Sequence, residues 1–170
     1  CIVKPHWLVI LPWGLLRRQW GFTAAIAGTT ALFGLLAIGL YGLQNVLDYA
    51  AVASYIGQRG EAFLDNQTMN GLINRLLFNG SNVEWTANAF APYHPVVYAV
   101  TLASTLALLG FGLFFGLTRT PTALHLGFVM LALTMASPIA WTHHYGVLFP
   151  IFALVLPAVL DRRPWGAASV

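Results

Sequence analysis

The sequence predicts an all-α, polytopic membrane protein with four complete spans, one partial span and a long outward loop carrying amphipathic helices. Three observations predict it. Hydrophobic residues make up 58% of the 170 residues and charged residues only 8%, where a soluble domain carries about 25%. The stretches 19–47, 85–118 and 120–160 hold no Asp, Glu, Lys or Arg. Basic residues stand at the ends of these apolar runs, as they do beside membrane helices. The composition excludes an ordinary soluble enzyme, a disordered chain and a collagen-like one. Cys1 is the single cysteine, which excludes a disulfide framework. The formal net charge of +3 is scattered along the chain and leaves no nucleic-acid footprint.

The elements follow in order. The chain opens on Cys1-Ile2-Val3-Lys4, apolar and without Met or a signal-peptide leader. We expect a fragment of a longer chain, with residues 1–170 one part of a single membrane domain. The run up to Leu16 reaches only about 24 Å as a helix, so it reads as the second half of a span, bent by Pro5 and Pro12. A complete span needs about 20 apolar residues. Residues 21–43 supply one and 95–117 another. The stretch 120–160 is too long for one helix and breaks at Ser137-Pro138 and Trp141-Thr142-His143-His144. Two shorter spans, 121–136 and 144–160, fit it.

Arg17-Arg18, Arg119 and Asp161-Arg162-Arg163 then fall on one side, which the positive-inside rule makes cytoplasmic. The loop 44–93 faces outward, with two arginines against four carboxylates. Trp13, Trp20, Trp141 and Trp165 lie near span ends, where interfacial tryptophans belong. Within the loop, 45–56 reads as a helix with an apolar face through Val46, Leu47, Ala50, Val52, Ala53 and Ile56. A second amphipathic piece runs from Leu72 to Phe78 and ends at Asn79-Gly80. Helices of this kind lie on a membrane surface. Between them, Asp65 to Gly71 form a polar knot. Asn66 or Thr68 would cap the helix that follows, and the amides of Asn66, Gln67 and Asn70 also suit sugar hydroxyls. Asn66-Gln67-Thr68 fits the glycosylation acceptor pattern, too short a match to carry weight.

Ionisable groups at membrane depth are the candidate site residues. Lys4 lies thirteen positions before Arg17, about 20 Å along a helix, so its ammonium sits below the outer surface. It either snorkels outward or binds a lipid phosphate, with His6 beside it. His143 and His144 close the outer end of the last span. Adjacent helical side chains point about 100° apart, so the pair does not suit one metal ion; hydrogen bonding at the interface or contact with phosphate or substrate hydroxyls suits it better. His125 reads as packing or bonding between helices, and His94 as interfacial. Arg75 sits in an apolar run and reaches either an acidic partner or a phosphate. Arg59 and Glu61 read as a solvated surface. Phosphate-loop, dinucleotide-binding, zinc-peptidase and serine-elbow signatures are missing, which argues against nucleotide-driven pumping and a cytoplasmic nucleotide-sugar substrate.

Four stretches recur in a familiar order: Lys4-Pro5-His6, the run Leu15 to Trp20, the run Asn66 to Leu72, and Ala136-Ser137-Pro138-Ile139-Ala140-Trp141-Thr142-His143-His144. Together they resemble the carboxy-terminal part of glycosyltransferase family 87, which includes polyprenol-phosphate-mannose-dependent mannosyltransferases acting on phosphatidylinositol mannosides. The Ser-Pro-Ile-x-Trp-x-His-His stretch is the most specific. Departures are Thr68, where the family often has Ser, and His6, where an aromatic residue is common.

The resemblance implies a GT-C architecture in a bacterial plasma membrane, with the active site on the outer face. It implies a polyprenyl-phosphate sugar donor, a glycolipid or glycan acceptor and no metal or other cofactor. Lys4 with His143 or His144 would line the cavity near the donor phosphate. Asn66, Gln67 and Asn70 would border it, with Trp141 as a further substrate contact. The catalytic carboxylate would lie upstream of these residues. A lipid-linked-substrate flippase or transporter, an arabinofuranosyltransferase and a structural membrane subunit are the alternatives.

Overall fold

A computed structural model describes residues 4–87 and 90–161. Arg162, Arg163 and Trp165, expected at the cytoplasmic face, and Cys1 to Val3 lie outside the described residues. The described chain is an all-α bundle. A 3-10 turn, Pro5–Val9, leads into α1 (Ile10–Leu16), α2 (Trp20–Tyr41), α3 (Leu43–Arg59), α4 (Met69–Leu76), α5 (Pro95–Phe114) and α6 (Ala123–Met135). A second 3-10 turn, Thr142–Val147, then leads into α7 (Leu148–Asp161). The one β contact among these residues is an isolated antiparallel bridge between Asn66 and Trp141.

Local chemistry explains most boundaries. Pro95 opens α5, where its missing N–H costs nothing. The Thr68 hydroxyl caps α4 by accepting from the Gly71 N–H at 3.2 Å. Thr122 and His125 form a reciprocal capping box at the start of α6, and the His125 ring also lies against Gly116 just past the end of α5, so it caps its own helix and packs between helices. The second amphipathic piece starts at Met69, three residues before the apolar pattern does, and stops at Leu76. Gly42 alone separates α2 from α3. Its φ of 84° and ψ of 155° belong to a region open only to glycine, which turns the chain from a candidate span straight into the loop helix.

Two helices, α2 and α5, are long and apolar enough to cross a bilayer among the described residues. The expectation of four complete spans is therefore corrected. At 13 and 14 residues, α6 and α7 reach only about 20 Å each, short of a hydrocarbon core of about 30 Å. The charge-free run 120–160 is long enough in residues. It loses helical length because residues 136–141 leave the helix to form a turn committed to contacts with the loop.

The helix α5 is the hub, packing against α1, α3, α4 and α6. Trp13, Val129 and Leu133 form the buried centre, with Trp7, Phe22, Leu109, Leu113 and Leu126 around it. Trp13 is 3% exposed, so it is a core residue and not an interfacial anchor, whereas Trp20 is exposed. Arg17 is also fully buried. Its guanidinium donates to the Leu113 and Phe115 carbonyls at 2.9 and 2.7 Å and lies 4.6 Å over the Trp13 ring. Those carbonyls end α5 and have no partner within the helix, and a cation also suits the negative end of the helix dipole. Gln19 donates to the Arg119 carbonyl at 3.2 Å, so two of the basic turns meet at one end of the bundle.

Candidate functional site

At the other end, four segments meet that are far apart in sequence. The polar knot between α3 and α4 provides the frame. Asn66 is fully buried. Its Nδ2 donates to the carbonyls of Glu61 and Pro138 at 2.9 and 3.1 Å. Its Oδ1 accepts from the Thr68 hydroxyl and the Ala140 N–H at 3.0 and 3.1 Å. One amide therefore joins the knot to the turn before His143. The Gln67 N–H donates to the Ala140 carbonyl at 2.9 Å and the Tyr145 hydroxyl to the Gln67 carbonyl, extending the seam. Asn70 works on the opposite side. It accepts from the Glu61 N–H at 3.1 Å and from Asn74 at 2.8 Å, and donates to Thr101 of α5 at 3.0 Å. Gly60 has a φ of 64°, and a Cβ there would lie 1.8 Å from Asn70 Oδ1. Both the backbone and the space require glycine. Arg75 reaches back to the Phe63 and Asn66 carbonyls at 3.1 and 2.9 Å. It braces the knot through neutral acceptors.

Against this frame lies a cavity of about 410 Å³. Lys4, His6, Trp141, His143 and His144 line it together with Ser137 and Pro138. Tyr49, Ala53 and Ile56 close it from α3. Their spacing of four and three places them on one helix face, a sign readable in the sequence once α3 is known to cover something. The Lys4 ammonium donates to the Ile139 carbonyl at 3.1 Å and faces the Ser137 hydroxyl at 3.5 Å. An ammonium has three protons, so one has no acceptor among the described residues. His6 Nε2 meets the Leu133 carbonyl at 3.1 Å; a carbonyl only accepts, so this nitrogen carries a proton.

The histidine pair is arranged differently from the expectation. The rings do not splay but stack, with centroids 4.3 Å apart and planes 29° apart. The reason is local. His144 Nδ1 accepts from the Trp141 N–H at 3.1 Å, which swings its ring back over the turn. That bond requires the neutral tautomer with the proton on Nε2. His144 lies in the turn between α6 and α7, outside α2 and α5. Burial, and then the positive charge of Lys4, hold it below the ordinary imidazole range. Among the described residues no group of three or more His, Cys, Asp and Glu could hold a metal ion.

The structure thus gathers Lys4, His6, Trp141, His143 and His144 around one cavity, and leaves Asn66, Gln67, Asn70 and Arg75 outside its lining. It also reveals a partner that sequence reasoning missed. Glu61, expected on a solvated surface with Arg59, is 7% exposed and accepts from the Trp141 indole at 2.9 Å. Arg59 instead lies 3.8 Å over the Tyr55 ring. No local pattern marks Glu61, because its partner is 80 residues away. Comparison of the chain with known protein families, curated proteins and solved structures returned no match.

Proposed function

We propose that this chain forms the donor side of a membrane glycosyltransferase. It would move a sugar, mannose first among the candidates, from a polyprenyl phosphate to a hydroxyl of a glycolipid or glycan on the outer membrane face. The observation that carries the reading is the cavity at Lys4. It joins an ammonium with a spare proton and a histidine pair to apolar walls from α3 and the 3-10 turn. A phosphate group attached to a hydrocarbon tail matches that combination. The resemblance of the Lys4-Pro5-His6 and Ser137 to His144 stretches to family 87 points the same way.

In this reading the acceptor oxygen attacks the anomeric carbon as the bond from that carbon to the phosphate oxygen breaks. The polyprenyl phosphate leaves with the bonding electrons, and a carboxylate outside these residues takes the hydroxyl proton. Lys4 and the Nε2–H of His144 would meet the negative charge that grows on the leaving phosphate. The apolar helices would keep the polyprenyl tail in the bilayer.

The test uses the full protein in lipid vesicles, offered labelled polyprenyl-phosphate-mannose or GDP-mannose separately with a phosphatidylinositol-mannoside acceptor. Transfer from the lipid donor alone supports the reading. Transfer from GDP-mannose alone overturns it. Movement of the lipid-linked sugar across the vesicle bilayer without transfer makes the protein a flippase instead.

A further inference from the structure

Trp141 is a wall of the Lys4 cavity, and Glu61 stands behind it, outside the cavity's lining. The Glu61 carboxylate accepts from the indole N–H at 2.9 Å. The backbone of Glu61 is held on both sides. Its N–H donates to Asn70 Oδ1 at 3.1 Å, and its carbonyl accepts from Asn66 Nδ2 at 2.9 Å. The side chain therefore starts from a fixed point of the polar knot and ends on the indole. Its nearest basic neighbours in sequence are committed elsewhere: Arg59 lies over Tyr55, and Arg75 is bound to two carbonyls. The indole is the partner that this buried carboxylate has.

The bond is not needed to join the knot to the turn, because Asn66 and Gln67 already close that seam. What it adds is the direction of the ring. Phe63, Trp85 and His143 meet the Trp141 ring edge-on, at centroid distances of 6.1, 5.6 and 5.9 Å. Such contacts recognise the plane of a ring, so they tolerate a half turn of the indole within its slot. The N–H is the one hydrogen-bonding atom of the indole, and the Glu61 bond alone distinguishes the two orientations. Side chains that shape a site are held in this way by the residues behind them.

The walls of the cavity divide by chemistry. The face of α3 through Tyr49, Ala53 and Ile56 suits a hydrocarbon. Lys4 and the Nε2–H of His144 offer protons to a phosphate. Trp141 is half-buried and supplies the aromatic surface that suits the C–H face of a pyranose. We propose that Glu61 is a positioning residue: it holds Trp141 as the wall against which the sugar of the donor lies, and so governs recognition of the sugar and not of the lipid phosphate. The assignment rests on the donor reading of the cavity.

Calorimetry on the full protein in lipid nanodiscs tests this, with farnesyl phosphate and farnesyl-phosphoryl-mannose as probes. Glu61→Met keeps the side-chain volume and removes the acceptor. It should weaken the mannosylated probe about fivefold or more, the scale of one aromatic contact, and change farnesyl phosphate binding less than about twofold. Glu61→Gln still accepts from the indole and should stay within about twofold of the wild type for both probes. In a Trp141→Phe background, Glu61→Met should cause no further loss, because Glu61 acts through the N–H. The indole N–H resonance of Trp141, identified by its absence in Trp141→Phe, should move in Glu61→Met without any probe present. Trp141→Phe leaves Glu61 in place, so if Glu61→Met does not fold it tests the same bond, and it too should weaken only the mannosylated probe. With both probes bound by the wild type, equal weakening of the two by Glu61→Met, no weakening, or a further loss in the Trp141→Phe background overturns the positioning role alone. So does an unmoved indole resonance. Binding of neither probe by the wild type overturns the donor reading itself.

Discussion

Replacing Asn66 with alanine should destabilise the protein by about 3 kcal/mol. Removing the amide breaks four hydrogen bonds, but the losses are unequal. The Thr68 hydroxyl and the Pro138 carbonyl are already 3.1 Å apart and satisfy each other in the variant. The Ala140 N–H and the Glu61 carbonyl lose a partner at buried positions. Each orphaned group costs about 1–3 kcal/mol, which brings the pair to about 3 kcal/mol with partial relaxation. Unfolding in mixed micelles, followed by tryptophan fluorescence, measures the difference. Gln67→Ala is the control, because its exposed side chain bonds only the nearby Leu64 carbonyl; it should change stability by less than about 0.5 kcal/mol. A change below about 0.5 kcal/mol for Asn66→Ala would refute the framing role. If Asn66 instead bound substrate directly, stability would hold and sugar binding would fall.

Three further outcomes follow from the same geometry. Lys4→Met should lower binding of farnesyl phosphate at least tenfold and flatten its salt dependence, with the unfolding midpoint nearly unchanged; equal binding in calorimetry would take Lys4 out of the phosphate site. Gly60→Ala should destabilise by about 2 kcal/mol or more, since a positive φ and a Cβ overlapping Asn70 act together; wild-type thermal stability in this variant would contradict the packing at Gly60. The third concerns pH. The folded state holds His144 below the ordinary imidazole range, so the unfolded chain binds its proton first. The stabilising contribution is complete above about pH 6.5 and is lost as the pH falls from there toward the lowered folded value. His144→Asn can still accept from the Trp141 N–H, so the wild type should lose more stability than this variant between pH 7.5 and 5; parallel pH profiles would refute the neutral tautomer.

How much was readable depends on how far each feature's causes lie along the chain. Thr68 caps α4 three residues on, Pro95 opens α5 in place, and the apolar runs locate α2 and α5, because capping, φ restriction and hydropathy act locally. The same local rules overcounted spans. Hydropathy measures apolar residues, and it does not register that residues 136–141 give up helix for hydrogen bonds to Asn66 and Lys4. Trp13 and Arg17 misled for a similar reason. Their positions at a helix end suggested the interface and a cytoplasmic turn, while α5 and α6 pack over them and α5 offers Arg17 its unpaired carbonyls.

The amino-acid sequence alone therefore settled the helical class and the order of the elements, and it offered Thr68 as one of two caps for α4. Tertiary packing decided the rest. It brought Lys4 beside Ser137 and Ile139, Glu61 against Trp141, and the face of Tyr49, Ala53 and Ile56 over the cavity. Propensity and capping energies are set within a turn or two of chain. Contacts across 80 to 135 residues arise only when buried polar groups from distant segments must satisfy one another in a shared space.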